Sequence, residues 1–298
     1  MLTNKQNLIF ETLLKLGLTS KKSRFLFNKK TRDVRDLKVW KDSNSGVIYI
    51  DNYYVGNKIY AKGAYRANEV KKLKIEKQFT DIENDAQRRF KSNLKYVKGK
   101  IVGDFGCGAG HFLKLVKPYC KKIVGIELQK NYINTLNQEG IYCIDNLKFL
   151  KNETLDIVFS FHAIEHLPNP IEILFEIKKK IKKGGKILIE VPHANDFLLT
   201  YLKSDSFKQF TLWSQHLILH THESLKRILE HVGFKDVKTY GVQRYPLSNH
   251  LFWLSQGKPG GHKSKFSEIE SARLFNLYEK SLQKINATDT IVALAKIK

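Results

Sequence analysis

The sequence has few cysteines and no long apolar run. Three cysteines occur among 298 residues, Cys107, Cys120 and Cys143. No two of them have metal-ligand spacing, and an odd number argues against a disulfide framework. No apolar run approaches the ~20 residues of a membrane span, and the N-terminus lacks the layout of a signal peptide. We therefore expect a soluble, cytoplasmic protein with reduced thiols.

Acidic residues are also scarce. The chain contains 29 Asp and Glu against 52 Lys and Arg, which gives a net charge of +23. Residues 1–100 carry 24 basic and 10 acidic residues, for +14, whereas residues 101–200 carry 13 and 11, for +2. Two explanations stay open: a site for an anionic partner, or a lysine-rich composition that only solvates the surface. Charge alone does not identify a partner.

From residue 100 onward, apolar runs alternate with amphipathic helical patterns. The runs are KIVGDFG, KIVGIEL, IYCID, LDIVFSF and KILIEVP, followed by FKDVKTYGV and, at the end, DTIVALAKIK. This order predicts an α/β fold: a Rossmann-like, seven-stranded, mostly parallel sheet with helices on both faces. One helix is expected to be capped by Asn169 and to end at Gly184-Gly185.

The remaining segments suit additions to this core. Residues 1–75 are predicted to form a basic, tyrosine-rich N-terminal extension and residues 76–245 the core. Residues 246–285 are predicted to be an insertion near the acceptor site, and residues 286–298 to contain the last core strand.

A glycine-rich turn, GDFGCGAG, follows the first of the core strands. Such a turn lets the backbone approach a ligand closely at the start of a helix. It is not the dinucleotide fingerprint, because His111 stands where the third glycine is required. It is not a phosphate loop either, since no Gly-Lys-Ser/Thr follows.

Four motifs resemble, in the same order, those of class I S-adenosylmethionine (SAM)-dependent methyltransferases, in particular the branch acting on small molecules and sugars. They are GDFGCGAGHFL, IVGIELQ, TLDIVFSFHAIEHLPNP and KKGGKILIEVP. The resemblance covers residues 78–245 and the last strand. It implies a methyltransferase with SAM as cofactor and S-adenosylhomocysteine as product. Asp104 would position the amino group of the cofactor, and Glu127 its ribose diol. The cofactor-binding residues would be Asp104, Gly106, Cys107, Gly108, Gly110, Glu127, Leu128, Asp145, Asn146, Phe161 and His162.

The segment TLWSQHLILHTHESL, residues 211–225, resembles the part of such enzymes that lies over the acceptor. Ser214-Gln215-His216 stands where relatives carry His-Glu-His, so only the second histidine is retained. A hydroxyl or carbon acceptor needs a base. We predict His216 as that base, with His162 and His166 as further catalytic residues. The alternative is a histidine that is only hydrogen-bonded beneath the segment.

A metal site is a second interpretation of these histidines. His162-x-x-Glu165-His166, with His216 or His220, resembles the E-x-x-E-H and later histidine of methyltransferases acting on RNA 3′-terminal 2′-hydroxyls. One carboxylate suits Mg²⁺ poorly and suits Mn²⁺, Co²⁺ or Zn²⁺ better. The prediction from sequence is nevertheless that no metal is bound, with the EHLP stretch mainly packing the loop.

Three functions remain open at this stage. The first is methylation of a small molecule, at a hydroxyl of a sugar, nucleotide-sugar or surface-glycan precursor, with or without phosphate, in which case the sugar would contact Tyr53, Tyr54, Tyr60 and Tyr65. The second is RNA 2′-O-methylation, which the basic N-terminal third favours. The third is a non-catalytic SAM-binding protein, against which the intact motifs argue. We favour the first and regard nucleic acid as the less expected partner.

Overall fold

The computed structural model describes residues 7–56, 61 and 79–298. The strands in these ranges are β1 (Arg24–Asn28), β2 (Val39–Asp42), β3 (Ile48–Tyr49), β4 (Ile101–Phe105), β5 (Lys122–Ile126), β6 (Cys143–Ile144), β7 (Leu155–Phe161), β8 (Ile181–Pro192), β9 (Ile218–Leu219), β10 (Lys235–Val242) and β11 (Thr290–Lys296). The helices are α1 (Ile9–Lys15), α2 (Phe79–Val97), α3 (His111–Val116), α4 (Lys130–Gln138), α5 (Pro170–Lys180), α6 (Phe197–Thr200), α7 (Asp205–Thr211), α8 (His222–Val232), α9 (Leu247–Gln256) and α10 (Ala272–Lys284). None of these helices has the length and apolar content needed to cross a membrane.

A seven-stranded sheet forms the centre of the fold, in the order β10-β11-β8-β7-β4-β5-β6. The pairs among β4, β5, β6, β7 and β8 are parallel, and β11 runs antiparallel to both of its neighbours. Helices α5 and α8 contribute to the core cluster on one face, and α2, α3 and α4 to the cluster on the other. The predicted Rossmann-like sheet with helices on both faces is therefore confirmed.

The direction of winding reverses between β4 and β7. From β4 the chain moves outward to β5 and β6, and then returns to place β7 and β8 on the other side. Ligands of open parallel sheets bind outside the carboxyl ends of the strands at such a reversal. The glycine turn after β4 and the end of β7 both lie at this point.

A small antiparallel sheet, in the order β1-β2-β3-β9, joins the N-terminal extension to the core. Strand β9 comes from the segment predicted to cover the acceptor, and Ile48 and Tyr49 pair with Leu219 and Ile218. Tyr53 and Tyr54 are partly buried against the apolar clusters beneath this sheet. Tyr60 and Tyr65, like the predicted boundary at residue 75, lie outside the described residues.

One helix boundary differs from the prediction. Asn169 caps α5 as expected, its side chain accepting from the Glu172 N–H, but the helix ends at Lys180 rather than at Gly184-Gly185. Strand β8 begins at Ile181 and bulges strongly, because Leu155 pairs with Ile181 while Ile157 already pairs with Lys186. The bulge is rich in lysine and therefore continues the polar pattern of the helix, which hides the start of the strand.

Candidate active site

The glycine turn between β4 and α3 is held in a left-handed backbone conformation at three alternate positions. Gly106, Gly108 and Gly110 have φ angles of 76°, 54° and 73°. Residues with a Cβ seldom adopt these angles, which explains the residue type at each position. The turn is fastened to the next strand, because the N–H of Gly106 donates to the carbonyl of Ile126 at 2.8 Å.

The three glycines differ in the space that a Cβ would find at each position. A Cβ on Gly106 would lie 2.5 Å from the Cβ of Ala163, and one on Gly110 would lie 2.5 Å from Leu136 Cδ2. At Gly108, no described atom lies within 4 Å of that position. Gly106 and Gly110 therefore permit close packing of the chain on itself, whereas Gly108 borders open space.

The side chain of Cys107 belongs to the core. Its Sγ lies 4.0 Å from Cys143 Sγ, both thiols are free, and the residue packs against the apolar cluster beneath the turn. The neighbouring Cys143 thiol and burial raise its pKa. A raised pKa disfavours the thiolate that a nucleophilic cysteine needs.

Asp104 is a buried carboxylate at the end of β4. It is 3% exposed, and its Oδ1 has no hydrogen-bond partner among the described residues. Burial raises its pKa to about 7; the charge of Arg89 opposes this effect and that of Glu127 adds to it. Such an atom requires a donor, and a cationic one would best offset its desolvation.

Glu127, directly after β5, closes the turn from the other side. Its Oε2 accepts from the Gly108 N–H at 2.8 Å, and its Oε1 accepts from the N–H groups of Leu128 and Gln129. The Leu128 side chain is exposed beside it. The backbone thus orients a carboxylate at the edge of the open space next to Gly108.

Two of the predicted cofactor-binding residues follow β6. Asp145 and Asn146 are both exposed, and Asn146 Oδ1 accepts from the N–H of Lys148, which caps a short 3₁₀ turn. Their position at the carboxyl end of the sheet is compatible with the predicted role, and the local hydrogen bond already accounts for the Asn146 side-chain oxygen.

Phe161 ends β7, and His162 follows it directly beside the glycine turn. Phe161 packs edge-on against Phe112 at 4.9 Å, and the Arg89 guanidinium lies 4.6 Å from its ring centroid. His162 has a φ of 51°. Its Nε2 accepts from the Arg244 guanidinium at 3.3 Å, and its Nδ1 lies 3.3 Å from Glu165 Oε1.

A buried network of arginines and carboxylates supports this end of the sheet. Glu190 of β8 accepts from Arg88 at 2.8 Å and from Arg89 at 2.7 Å, both of α2. Arg244 in turn is paired with Asp85 of the same helix. Burial raises the pKa of Glu190, but the arginines and His162 outweigh it and hold the pKa well below its ordinary value.

Sequence reasoning missed this network. The available signal was Glu190, a single carboxylate inside the apolar run ILIEVP. A charged residue within a buried strand needs a partner of opposite charge. Its partners lie about a hundred residues away, and spacing alone does not identify them.

The structure brings His166 and His216 together, with His162 nearby. The His166 and His216 ring centroids are 5.1 Å apart, and Trp213 packs against both rings. His166 Nδ1 donates to the Gln215 carbonyl at 2.7 Å. Burial, together with the nearby His166, lowers the pKa of His216 well below its ordinary value, so the imidazole is neutral.

Glu165 lies under these imidazoles and is fully buried. Burial raises its pKa, but the His162 and His166 imidazoles outweigh that effect and lower the pKa to about 2. The carboxylate is therefore ionised at neutral pH.

Three further histidines of this region, His193, His220 and His222, make local contacts. His220 is buried with its Nδ1 3.1 Å from Ser224 Oγ, and His193 packs against His222 with ring centroids 5.2 Å apart. His222 is the first residue of α8, and Thr221 caps that helix by accepting from the Ser224 N–H.

Comparison with known proteins decides the family. Residues 80–239, more than half of the chain, match the methyltransferase domain family. The chain belongs to this family. The fold agrees: a SAM-dependent methyltransferase from Archaeoglobus fulgidus aligns with a TM-score of 0.53 at 24% identity, over 78% of this chain and 99% of that one.

The curated relatives match only part of this chain and part of their own length. The tRNA U34 carboxymethyltransferase of Campylobacter lari is 27% identical over 42% of this chain and 47% of its own length. That of Aliarcobacter butzleri is 23% identical over 53% of this chain and 57% of its own length. The chain thus spans about half the length of these relatives.

The predicted class I, SAM-dependent methyltransferase domain is confirmed as the family of this chain. The site fits its cofactor: the unpartnered Oδ1 of Asp104 can receive the ammonium group, and the space beside Gly108 and Glu127 leaves room for the nucleoside. Which residues contact SAM stays a prediction.

The difference between Gly106 and Gly108 is testable by alanine substitution in this methyltransferase. We expect Gly108→Ala to cost about 1–2 kcal/mol of stability from its φ alone and to weaken SAM binding at least about tenfold, because a methyl group would enter the cofactor space. Gly106→Ala should destabilise the fold further through its clash with Ala163. Thermal unfolding and calorimetric titration with SAM measure the two effects.

Gly99→Ala is the matched control. Gly99 has a φ of 67° and no described atom within 4 Å of a Cβ, but it lies before β4 at the opposite edge of the sheet. It should show the same conformational cost and bind SAM normally. Equal SAM affinity in the Gly108 and Gly99 variants would contradict the placement of the cofactor.

Proposed function

We propose that the protein transfers the methyl group of SAM to a hydroxyl group of a sugar-containing acceptor. The observation that carries this proposal is the packing of the His166 and His216 imidazoles, with ring centroids 5.1 Å apart, over the buried Glu165, next to the end of β7 where the donor site is predicted. Amine acceptors arrive with a nucleophilic lone pair, whereas a hydroxyl must lose its proton during transfer. Burial lowers the pKa of His216, so this imidazole keeps the lone pair that such a step needs.

The chain's own residues would divide the work as follows. Asp104 would hold the cofactor's ammonium group, and Glu127 would accept from its ribose. Bound SAM supplies an electrophilic methyl group on a positively charged sulfur. Phe161 and His162 would form the wall between donor and acceptor, and the packing of Phe161 on Phe112 keeps that wall rigid. Alignment of the two reactants then provides most of the rate enhancement.

The proton of the acceptor would be taken up by the histidine cluster. His216 remains the base that we propose, because its lowered pKa keeps a lone pair available at and below neutral pH. The hydrogen bond from His166 Nδ1 to the Gln215 carbonyl fixes the adjacent ring. Acceptors of the predicted kind are sugars, nucleotide-sugars or surface-glycan precursors.

RNA is the second candidate acceptor, and three observations favour it. The curated relatives are named for tRNA, and residues 1–100 carry a net charge of +14. A surface pocket of about 380 Å³ in the N-terminal extension is lined by Lys30, Arg32 and Arg35, among others. A basic pocket of this kind would suit a phosphate backbone, and ribose also offers a hydroxyl.

The test offers three acceptor pools to the purified protein with labelled SAM: nucleotide-sugars, a glycan-precursor extract and total tRNA. We expect a methyl ether in a sugar-containing product, identified by mass spectrometry. Methylated amines or bases as the only products would overturn the proposal.

Charge reversal separates the two acceptor classes. The double substitution Lys30→Glu and Arg35→Glu should abolish methylation of RNA and spare that of free sugars. Lys121→Glu, an exposed residue before β5 at the opposite edge of the sheet, is the control. An equal loss of tRNA methylation in the double variant and in Lys121→Glu would show that the basic pocket has no specific role in binding RNA.

A further inference from the structure

Glu165 is a buried carboxylate whose two oxygens lack hydrogen bonds from the described residues. It lies in the 3₁₀ turn after β7 with 0% exposure, and within the described ranges neither Oε1 nor Oε2 has a hydrogen-bond partner. The nearest polar group is His162 Nδ1, at 3.3 Å from Oε1. A buried carboxylate oxygen without a hydrogen bond can still accept a donor or a cation.

Two imidazoles present ring nitrogens to the same point. His166 donates from Nδ1 to the Gln215 carbonyl, so its lone pair is on Nε2, which lies 3.9 Å from Glu165 Oε1. His216 Nδ1 is buried and has no hydrogen-bond partner among the described residues. One ligand atom from each of Glu165, His166 and His216 can be chosen so that all lie within 4.8 Å of one another.

We propose that Glu165, His166 and His216 bind one divalent transition-metal ion. Two imidazoles and one carboxylate are a ligand set for Zn²⁺, Co²⁺ or Mn²⁺, whereas Mg²⁺ and Ca²⁺ require mostly oxygen ligands. The carbonyl of Gln215 fixes the tautomer and orientation of His166, as hydrogen-bond partners of metal-bound histidines do. Ligands at about 2.0–2.2 Å from the ion require only a small closure of the cluster.

Three protein ligands leave a coordination position for a further group. A hydroxyl bound there would have its pKa lowered by the ion. This consequence rests on the proposed function: because the ion would use the lone pair of His216, the metal-bound hydroxyl would release its proton to solvent water rather than to that imidazole, while its oxygen takes the methyl group from the sulfonium and S-adenosylhomocysteine leaves. The binding site itself does not depend on the acceptor.

The experiment strips the full-length protein with a chelator and adds Zn²⁺, Co²⁺, Mn²⁺ or Mg²⁺ separately. Elemental analysis and calorimetry should find about one Zn²⁺ or Co²⁺ per chain and no stoichiometric Mg²⁺. His216→Asn and Glu165→Gln should each weaken binding at least tenfold. His231→Asn, at an exposed histidine in the last turn of α8, is the control and should bind as the wild type does.

The absorption spectrum of the Co²⁺ form gives a second readout that needs no variant. Bands of a four- or five-coordinate site should appear at one equivalent in the wild type, and unchanged hexaaquo-like absorption would overturn the proposal. Equal metal content in wild type and His216→Asn would overturn it as well. Stoichiometric metal without methylation of any hydroxyl would instead reject the proposed function and leave the metal site standing.

Discussion

Replacing Asp104 by asparagine is expected to weaken SAM binding about 10- to 100-fold. The carboxylate is buried, its Oδ1 has no partner among the described residues, and an ammonium group there would form a charge-assisted hydrogen bond. Such bonds contribute about 1.5–3 kcal/mol. Asparagine keeps the shape and loses the charge. Calorimetric titration of wild type and variant with SAM measures the difference.

The affinity of the wild type should also depend on pH. The pKa of Asp104 is raised to about 7, so the carboxylate that receives the ammonium forms as the pH rises through 7. SAM binding should therefore tighten about tenfold between pH 6 and pH 8. The substitution Asp104→Asn should remove that dependence. An unchanged slope in the variant would assign the titration to another group.

Stability gives an independent check of the same carboxyl. A raised pKa in the folded state means that the protonated carboxyl is preferred there. Its contribution to stability is complete below the ordinary value of 3.8 and is lost as the pH rises through about 7. Asp104→Asn, measured without SAM, should thus unfold at a higher temperature than the wild type at pH 8.

Asp196 provides the matched control for these measurements. It is also a buried carboxylate with a raised pKa, of about 8, but it accepts from the N–H groups of Leu198 and Leu199 at the start of α6. Asp196→Asn should leave SAM affinity and its pH dependence unchanged. The same loss of affinity in both variants would show a general effect of neutralising a buried acid.

Glu190→Gln is expected to lower the free energy of unfolding by about 3–5 kcal/mol. The change leaves Arg88 and Arg89 packed around a neutral amide in a site that is 1% exposed. Two guanidinium groups then lose the charge that offsets their desolvation. Urea denaturation at pH 7 measures the loss.

The pH dependence of that loss has a definite sign. The pKa of Glu190 is held well below 4.5, so its contribution is complete above that value and disappears as the pH falls through the lower, folded pKa. The difference in the free energy of unfolding between wild type and Glu190→Gln should therefore decrease at acidic pH. Glu176→Gln, which breaks only the exposed pair with Lys179, should cost less than about 1 kcal/mol. Equal losses in the two variants would contradict a stabilising role for Glu190.

The sheet and the cofactor edge were predictable because their signals are local. Buried parallel strands must be apolar on both faces, and LDIVFSF accordingly coincides with β7. Left-handed backbone angles favour glycine, so the turn at 106–110 is visible in the sequence. The bulge at the start of β8 was missed because its lysines continue the pattern of the preceding helix.

The acceptor side was only partly predictable, because its contacts join distant segments. His166 and His216 could be suspected from their motifs, but their meeting depends on the backbone bond from Leu217 N–H to the Glu165 carbonyl. The pairing of Glu190 with Arg88 and Arg89 joins β8 to a helix far earlier in the chain. Side-chain spacing within one segment carries no information about such pairs.

The order of strands and helices, the glycine turn and the carboxylates at the strand ends are written in the amino-acid sequence, because each follows from periodicity or backbone sterics within a few residues. Three other features depend on the folded chain: Cys107 faces the core, Gly108 borders open space, and Glu165 lies buried between two histidines. These features depend on which segments pack against each other and exclude water between them, and only the folded chain determines that packing.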